Sequence, residues 1–306
     1  MGDGTQPTNP IRAKLATELL VNQLGDQVTV VDPNDTEDFM VKLDRLYLEA
    51  VHDSDYVQQT IDGQNDVWYG NKPKVGEAAF AMFRGTMRAT DAIIDGHAKV
   101  AFNPQGAKHH ARHNFGAGFC AFNDMVYAAK AFQAAGLKPL YLDWDIHAGD
   151  GVFHMLKGSG VATISIHVGA TYPHDPELNV SSDERAELHD ASIDKYNFNL
   201  RRYDGDDAFI EAIDKAAKII DDYKPDVILL AAGADGHTGE SNLGLLANYT
   251  AKGFEYAANM VATKALEYSQ GRILIGGAGG YQPFKETPET WALVVSTIYN
   301  QIKKGV

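Results

Sequence analysis

The 306-residue sequence predicts an α/β fold, with a doubly wound, mostly parallel sheet flanked by helices. Short apolar runs alternate with longer amphipathic segments along the chain, which is the pattern of βαβ units. Several runs are apolar at every position, as is typical of parallel strands buried on both faces. No linker divides the chain, so we expect a single domain over residues 1–306.

The apolar runs predict six strands, at Val28–Val31, Val100–Asn103, Leu140–Asp145, Ala162–Val168, Val227–Ala232 and Ile273–Gly277. Between them, apolar residues recur at helical spacing, which predicts helices at Ile11–Leu24, Thr36–Leu48, Gly76–Asp95, Ala121–Ala135, Asp206–Tyr223, Tyr249–Ser269 and Pro288–Lys303. The polar stretch Thr171–Lys195 has no such pattern, and we expect a long loop there. Sheets of this kind bind ligands beyond the carboxyl ends of their strands, so polar residues that follow a strand are candidates for the site.

The composition narrows the class of protein. The sequence has 27 basic and 41 acidic residues, a formal net charge of −14, and no basic run longer than a pair, so we do not expect nucleic acid as its main partner. Such a surface could attract cationic substrates or could simply be solvated. Cys120 is the one cysteine, which excludes an intrachain disulfide and a Cys-rich zinc site. No apolar run approaches ~18 residues and no signal pattern opens the sequence, so we expect a cytoplasmic protein without membrane contact.

An acidic segment lies at the end of the predicted strand Leu140–Asp145, where residues 143–151 read DWDIHAGDG. Asp145 and His147 are two residues apart and could reach one ion, and Asp235 follows another buried strand. Three N/O ligands with open positions are the arrangement that catalytic Zn²⁺ uses. Alternatively, Asp143 and Asp145 cap a helix that begins near Asp150.

A histidine-rich loop follows the strand Val100–Asn103, and residues 108–120 read KHHARHNFGAGFC. His109 and His110 could be metal ligands, a general base or surface residues. Asp143 and Asp150 are spare carboxylates, and each could hold one imidazole in a fixed tautomer. A histidine held in this way has the orientation and basicity of a general base.

A glycine-rich segment, GGAGGY over residues 276–281, follows the last predicted strand. Its glycines do not match the spacing of a dinucleotide-binding loop. Glycine allows the backbone to approach another group closely. The hydroxyl of Tyr281 could donate to a developing oxyanion, although the residue could also be a plain aromatic at the rim.

In combination, these segments resemble the histone deacetylase superfamily of metal-dependent amidohydrolases, including bacterial deacetylase-like and acetylpolyamine enzymes, which have an arginase/deacetylase-like fold. The resemblance extends from about Pro10 to Trp291, and its motifs occur in the order of the family. These motifs are residues 10–12, the paired histidines through Cys120, Asn123–Asp124, residues 143–151, residues 233–235 and residues 279–281.

The resemblance implies catalytic and metal-binding roles. Asp145, His147 and Asp235 would bind Zn²⁺, although Fe²⁺ or Co²⁺ would suit the same ligands.

The resemblance assigns the catalytic residues as well. His110, paired with Asp150, would be the general base. His109, paired with Asp143, would be a second histidine with an electrostatic or acid role. Tyr281 would polarise the substrate carbonyl.

The resemblance also implies supporting roles. Phe119 and Tyr172 would form the wall of a tunnel for an acyl-lysine-like substrate, and Arg12 would line the cavity from which acetate leaves. Asp143 and Ser165 match positions near a monovalent cation site, usually for K⁺.

Three features depart from the family pattern. Ala148 stands where the family often has a second histidine, but that position is not a ligand. The resemblance begins close to Arg12, so we expect the first strand of the family to be absent or shortened. The rim aspartate that grips a peptide backbone has only Asp66 as a candidate, and its absence would favour small substrates over histone tails.

The function that follows is hydrolysis of an N-acetyl or other N-acyl amide, on acetyl-lysine, an acetylpolyamine or a small metabolite. One alternative is a ureohydrolase of arginase-like fold with two metal ions. Its motif would need an acid one residue before Asp150, and a second acid where His237 stands. The other alternative is a non-catalytic module that binds acyl ligands, in which we would expect a ligand, the base or Tyr281 to be lost.

Overall fold

The structure is a computed structural model that describes residues 8–35, 38–65, 73–240 and 244–305. Within these ranges one seven-stranded sheet has the strand order β1-β7-β6-β2-β3-β5-β4. All its pairs are parallel except β4 with β5. The strands are β1 (Val100–Asn103), β2 (Pro139–Asp143), β3 (Ala162–Val168), β4 (Ala186–Asp190), β5 (Lys195–Leu200), β6 (Val227–Ala231) and β7 (Ile273–Gly276). The mostly parallel α/β fold predicted from the sequence is confirmed.

Nine α-helices occur in the described ranges, and none of these nine is long and apolar enough to span a membrane. They are α1 (Ile11–Leu24), α2 (Asp38–Glu49), α3 (Ser54–Ile61), α4 (Pro73–Ile94), α5 (Asp124–Ala134), α6 (Asp150–Met155), α7 (Asp206–Tyr223), α8 (Ala251–Tyr268) and α9 (Glu286–Gly305). The sequence predicted α1 and α7 with these bounds and missed α3, and it offered α6 only as an alternative, a helix that begins near Asp150.

The central strands have a hydrophobic core on each face, which is why they are largely apolar. Leu140 and Leu142 of β2 point into a core that includes residues of α1 and α7–α9. Tyr141, between them, points into the second core, with residues of α3–α5. Side chains alternate between the faces of a strand, so a strand covered on both sides needs apolar residues in both registers.

Two local predictions are wrong. Val28–Val31 is not a strand, and Val30 and Val31 are 62% and 61% exposed, so the run finds no sheet to pack on. The stretch Thr171–Lys195 is not only a loop, because β4 lies within it and β5 begins at its last residue. β4 is an edge strand with a partly exposed, polar surface, so its sequence carries no apolar run.

The sheet brings the candidate segments to one edge. Asn103, Gly276, Ala231, Asp143 and Ser165 form a row of register partners across β1, β7, β6, β2 and β3. Because these strands are parallel, the segments that follow them emerge on the same side. The histidine loop, the acidic segment, the Asp235 segment and the glycine-rich segment therefore meet beyond one edge of the sheet.

Candidate active site

Three predicted metal ligands converge at this edge. Nδ1 of His147 lies 3.0 Å from Oδ1 of Asp145 and 3.3 Å from Oδ2 of Asp235. One ligand atom from each residue lies within 4.8 Å of the other two. This is the single such group of His, Cys, Asp and Glu side chains in the described ranges.

Local turns after β2, and not a longer strand as predicted, bring these residues together. β2 ends at Asp143, and the backbone then turns, with the N–H of Asp145 donating to Oδ1 of Asp143 at 2.9 Å. The N–H of His147 donates to Oδ1 of Asp145 in the same way, also at 2.9 Å. A helix does begin at Asp150, but Gly149 precedes it without a side-chain cap, so the alternative that Asp143 and Asp145 cap it is wrong.

The donor set fits a divalent cation. Oδ2 of Asp235 is buried and, apart from the 3.3 Å approach of Nδ1 of His147, has no hydrogen-bond partner among the residues that the structure describes. Burial and the charge of Asp145 raise the pKa of Asp235 to about 7. Burial alone would lower the pKa of His147, but Asp145 and Asp235 raise it to about 10. The two buried carboxylates share a single imidazole as their partner, so a divalent cation would be favoured between them, and N/O ligands of this kind suit Zn²⁺, Fe²⁺ or Co²⁺.

His109 and His110 each bind a carboxylate through Nδ1. Nδ1 of His109 lies 2.8 Å from Oδ2 of Asp143, and Nδ1 of His110 lies 2.7 Å from Oδ1 of Asp150. The two imidazole rings are 3.9 Å apart, and both are buried. Both predicted pairs are thus present, and each leaves the Nε2 atom of its histidine for other contacts.

The two histidines have opposite pKa shifts. Burial, together with the neighbouring charge of His109, lowers the pKa of His110 to about 4. Burial also acts to lower the pKa of His109, but the charges of Asp143 and Asp145 outweigh it and raise the pKa to about 9. Paired groups whose environments separate their pKa values are suited to opposite roles, here proton acceptor for His110 and proton donor for His109.

The glycine-rich segment is bound directly to Asp145 of the metal-ligand cluster, which consists of the candidate ligands Asp145, His147 and Asp235. The N–H of Gly279 donates to Oδ2 of Asp145 at 2.7 Å, and the N–H of Ala234 donates to the carbonyl of Gly279 at 2.8 Å. A Cβ atom at Gly279 would lie 2.2 Å from Oδ2 of Asp235, so only glycine fits there. This contact holds Tyr281, two residues further on, beside the cluster.

Two aromatic residues that are partly or largely exposed lie beside the candidate catalytic residues. The ring of Tyr172 is 4.9 Å from that of His110 and 6.4 Å from that of His147, and Tyr172 is 40% exposed. The ring of Phe119 is 6.3 Å from that of Tyr281. Both predicted tunnel residues thus lie against candidate catalytic residues.

Arg12 lies deep in the protein on the inner side of the glycine-rich segment. Its side chain is buried, Nη1 donates to the carbonyl of Gly280, and the guanidinium lies 5.1 Å from the centre of the Trp291 ring. Burial lowers the pKa of Arg12. A cation in this place could meet an anionic product, as the resemblance implies.

The predicted monovalent-cation position, Ala148 and the rim aspartate are the other positions that the sequence singled out. Asp143 and Ser165 are register partners on β2 and β3, and Oγ of Ser165 lies 2.9 Å from Nδ1 of His167. Ala148 is buried against Phe153 and Leu178. Asp66, the candidate rim aspartate, lies outside the described residues.

Sequence reasoning missed two charged residues at the site. Nε and Nη2 of Arg112 donate to Oδ2 of Asp150 at 3.1 and 2.7 Å, so Asp150 binds Arg112 and His110 together. Glu240 accepts a hydrogen bond from the backbone N–H of Tyr281 at 2.6 Å. The position of Arg112, two residues after His110, was a usable signal, whereas nothing near Glu240 in the sequence points to Tyr281.

Comparison with known proteins agrees with this geometry. The family model for the histone deacetylase domain matches residues 6–298 of this chain. The acetoin utilization protein AcuC of Bacillus subtilis (strain 168) is 31% identical over 266 residues, which cover 81% of this chain and 67% of that protein. AcuC of Staphylococcus aureus (strain MRSA252) is 27% identical, with 96% of this chain and 77% of that protein covered. The chain belongs to the histone deacetylase family and is a deacetylase.

Proposed function

We propose that this deacetylase is a Zn²⁺-dependent amidohydrolase that removes an acetyl or related acyl group from the nitrogen of a primary amine. The observation that carries the proposal is the cluster of Asp145, His147 and Asp235 beside two buried His–Asp pairs. Asp145, His147 and Asp235 would hold the ion. When bound, Zn²⁺ acts as a Lewis acid toward an amide carbonyl and makes water a stronger nucleophile near neutral pH.

His110 is the proposed general base. Asp150 engages its Nδ1, so that Nε2 can accept a proton from the attacking water. A Cβ atom at Gly118 would lie 2.2 Å from Cδ2 of His110, so the chain closes tightly against this ring and fixes its orientation. Arg112 in turn fixes Asp150 through two hydrogen bonds.

Tyr281 and His109 complete the proposed reaction. The hydroxyl of Tyr281 donates to the carbonyl oxygen as negative charge develops there, and burial raises the pKa of Tyr281, which keeps the hydroxyl protonated. His109, paired with Asp143, supplies positive charge and a proton for the departing amine. Acetate then leaves past Arg12, whose guanidinium lies behind the glycine-rich segment.

The proposed substrates are an acetyl-lysine protein, an acetylpolyamine or an acetylated small metabolite, and the two relatives bear the name acetoin utilization protein. We further propose K⁺ near Asp143 and Ser165, on the strength of the resemblance. Cys120 is buried and unpaired, which suits a reducing compartment, and we propose that the protein acts in the cytoplasm.

The two alternatives find less support. For two metal ions, His237 stands where a second acid is needed, and its Nδ1 instead accepts the backbone N–H of Gly239 at 3.0 Å. Across the described ranges, one ligand group is present rather than two. A binding module that had lost catalysis would lack a ligand, the base or the tyrosine, yet each of these residues is in place.

The test is a screen of purified protein against acetylated peptides, polyamines and small amines, together with metal analysis. We expect one divalent ion per chain, loss of activity with a chelator, recovery with Zn²⁺, and inhibition by a hydroxamate. Recovery with Fe²⁺ or Co²⁺ but not Zn²⁺ would refute the choice of metal. Activity that resists both the chelator and the hydroxamate would refute the reaction class.

A further inference from the structure

One peptide group in the site is held at both polar ends by buried charged side chains. It joins Gly280 to Tyr281. Nη1 of Arg12 donates to the Gly280 carbonyl, and the N–H of Tyr281 donates to Oε2 of Glu240 at 2.6 Å. Arg12 and Glu240 are 1% and 3% exposed, so water does not compete strongly with either bond. Hydrogen bonds to charged groups are roughly twice as strong as neutral ones.

Glu240 belongs to the same segment as the candidate metal ligand Asp235. Two backbone hydrogen bonds connect Glu240 to Ala234, the residue before Asp235, from His237 N to Ala234 O at 2.9 Å and from Glu240 N to His237 O at 2.8 Å. The other carboxylate oxygen of Glu240 accepts from Oγ1 of Thr287, at the start of α9. The Glu240 side chain therefore connects the Asp235 segment to the backbone of Tyr281.

The backbone around Tyr281 is held by bonds to other segments and not by regular secondary structure. Residues 277–282 form no helix or strand, and Gly280 has a φ of +146°, which L side chains rarely adopt. Its position therefore depends on bonds to neighbouring groups. A hydroxyl that stabilises an oxyanion must lie within a few tenths of an ångström of its place, since such donors act through fixed geometry.

We propose that Glu240 is a positioning residue that fixes the Tyr281 hydroxyl relative to the metal-ligand cluster, an inference that rests on the proposed function. It touches neither substrate nor metal ligands in this scheme and acts through the backbone of Tyr281. Removing the carboxylate should therefore lower kcat without removing the ion. The same removal should matter little once the Tyr281 hydroxyl is absent.

The experiment is a double-mutant cycle of Glu240→Ala and Glu240→Asp, each alone and with Tyr281→Phe. Glu240→Asp keeps the buried charge but shortens the side chain, and it replaces Glu240→Ala in the cycle if the alanine variant fails to fold. Glu240→Gln keeps an acceptor oxygen at full length and is the conservative rescue. Glu289→Ala, an exposed glutamate on α9, is the matched control. The readouts are kcat, KM, bound metal and thermal melting.

We expect Glu240→Ala and Glu240→Asp to lower kcat by about 10–100-fold, less than the ~10²–10³ that full loss of an oxyanion donor produces. KM should stay within about threefold, metal content should be unchanged, and Glu240→Gln should recover most of kcat. In the Tyr281→Phe background, the same changes should lower kcat by less than about twofold further.

Two outcomes separate this inference from the proposed function. If Tyr281→Phe lowers kcat but the Glu240 losses are equally large in both backgrounds, or Glu240→Asp keeps wild-type kcat, the positioning role is wrong and the proposed function stands. If Tyr281→Phe alone keeps wild-type kcat, the role of Tyr281 in the proposed function is wrong, and the inference is overturned with it.

Discussion

Asp150 holds His110 with one carboxylate oxygen while Arg112 occupies the other, with Nδ1 of His110 2.7 Å from Oδ1 and Nη2 of Arg112 2.7 Å from Oδ2. Burial would raise the pKa of Asp150, but His110 and Arg112 lower it, so this carboxylate stays ionised. Asp143 differs because its Oδ2 accepts from both His109 and the hydroxyl of Tyr141. The carboxylates of Asp150 and Asp143 thus have different surroundings, which supports different roles for the histidines that they bind.

The first prediction concerns the base. His110→Ala should lower kcat by about 10²–10⁴, because a positioned general base contributes on that scale. Metal content should stay at the wild-type value, since none of the three candidate ligands changes. The control is His113→Ala, an exposed histidine in the same loop. Steady-state kinetics that place His110→Ala within about threefold of wild type would contradict the assignment.

The second prediction concerns the ion. Asp235→Ala should lose metal and activity together, because it removes one of three ligands and leaves Asp145 and His147 alone. Elemental analysis after dialysis measures the loss, and Asp95→Ala, an exposed aspartate, is the control. Two ions per wild-type chain, or full metal retention in Asp235→Ala, would show that the centre is of another kind.

The third prediction concerns the tyrosine. Tyr281→Phe should lower kcat by ~10²-fold or more, because the bond to the hydroxyl strengthens as charge develops on the carbonyl oxygen. KM should change less, and metal content should not change. A rim aromatic would tolerate phenylalanine almost without effect, so a kcat within about twofold of wild type would rule out the donor role.

The fold could be predicted where burial is uniform. β3 matches its prediction to the residue, because all seven of its side chains are buried and apolarity marks both ends. β2 ends two residues before its prediction, where the side chain of Asp143 turns the backbone. Sequence patterns therefore report apolar packing well, and they report poorly the points at which side-chain oxygens redirect the chain.

β5 escaped prediction because its buried residues are largely polar. Asn197 and Asn199 are almost fully buried, and their side-chain amides donate to the carbonyls of Leu188 at 3.2 Å and Leu178 at 3.1 Å. Those partners lie in β4 and in a loop, nine and 21 residues earlier in the chain. Buried polar groups are tolerated when bonded, but the bonds exist only in the folded chain.

The candidate site could be predicted best where its residues lie close together in the sequence. Asp145 and His147 are two residues apart, and Asp235 follows a strand that the sequence marks clearly. Glu240 reaches Tyr281 across 41 residues, and a lone glutamate in a polar loop has no distinguishing pattern. The proximity of the candidate metal ligands and the two His–Asp pairs could therefore be foreseen, whereas the groups that hold them in place could not.

The last prediction concerns stability and arises from Lys195 of β5. This lysine is fully buried, and its Nζ has no hydrogen-bond partner in the described ranges. The Phe153 ring centre is 5.7 Å from Nζ, and the charged groups that act on it are Asp194 and Lys157. Burial lowers the pKa of Lys195 to about 7, although Asp194 partly opposes this shift.

The pH dependence of the destabilisation by Lys195 follows from the protons that the folded and unfolded states bind. The folded state releases the Lys195 proton near pH 7, whereas the unfolded chain keeps it to about pH 10.4. Between these values the unfolded state binds more protons, so the destabilisation is greatest below pH 7 and declines as pH rises. The destabilisation by Lys195 declines by at most about 1.4 kcal/mol per pH unit.

Lys195→Met should therefore raise Tm by several degrees at pH 6, and the gain should shrink steadily toward pH 9.5. Methionine keeps the length of the side chain and needs no partner for a charge. Lys252→Met, an exposed lysine, should shift Tm by no more than about 2 °C at any pH. The measurement is the Tm of the wild type and of both variants at pH 6, 7.5 and 9.5. A gain of equal size at all three values would indicate improved packing alone, and a loss at pH 6 would mean that the ammonium has a stabilising partner.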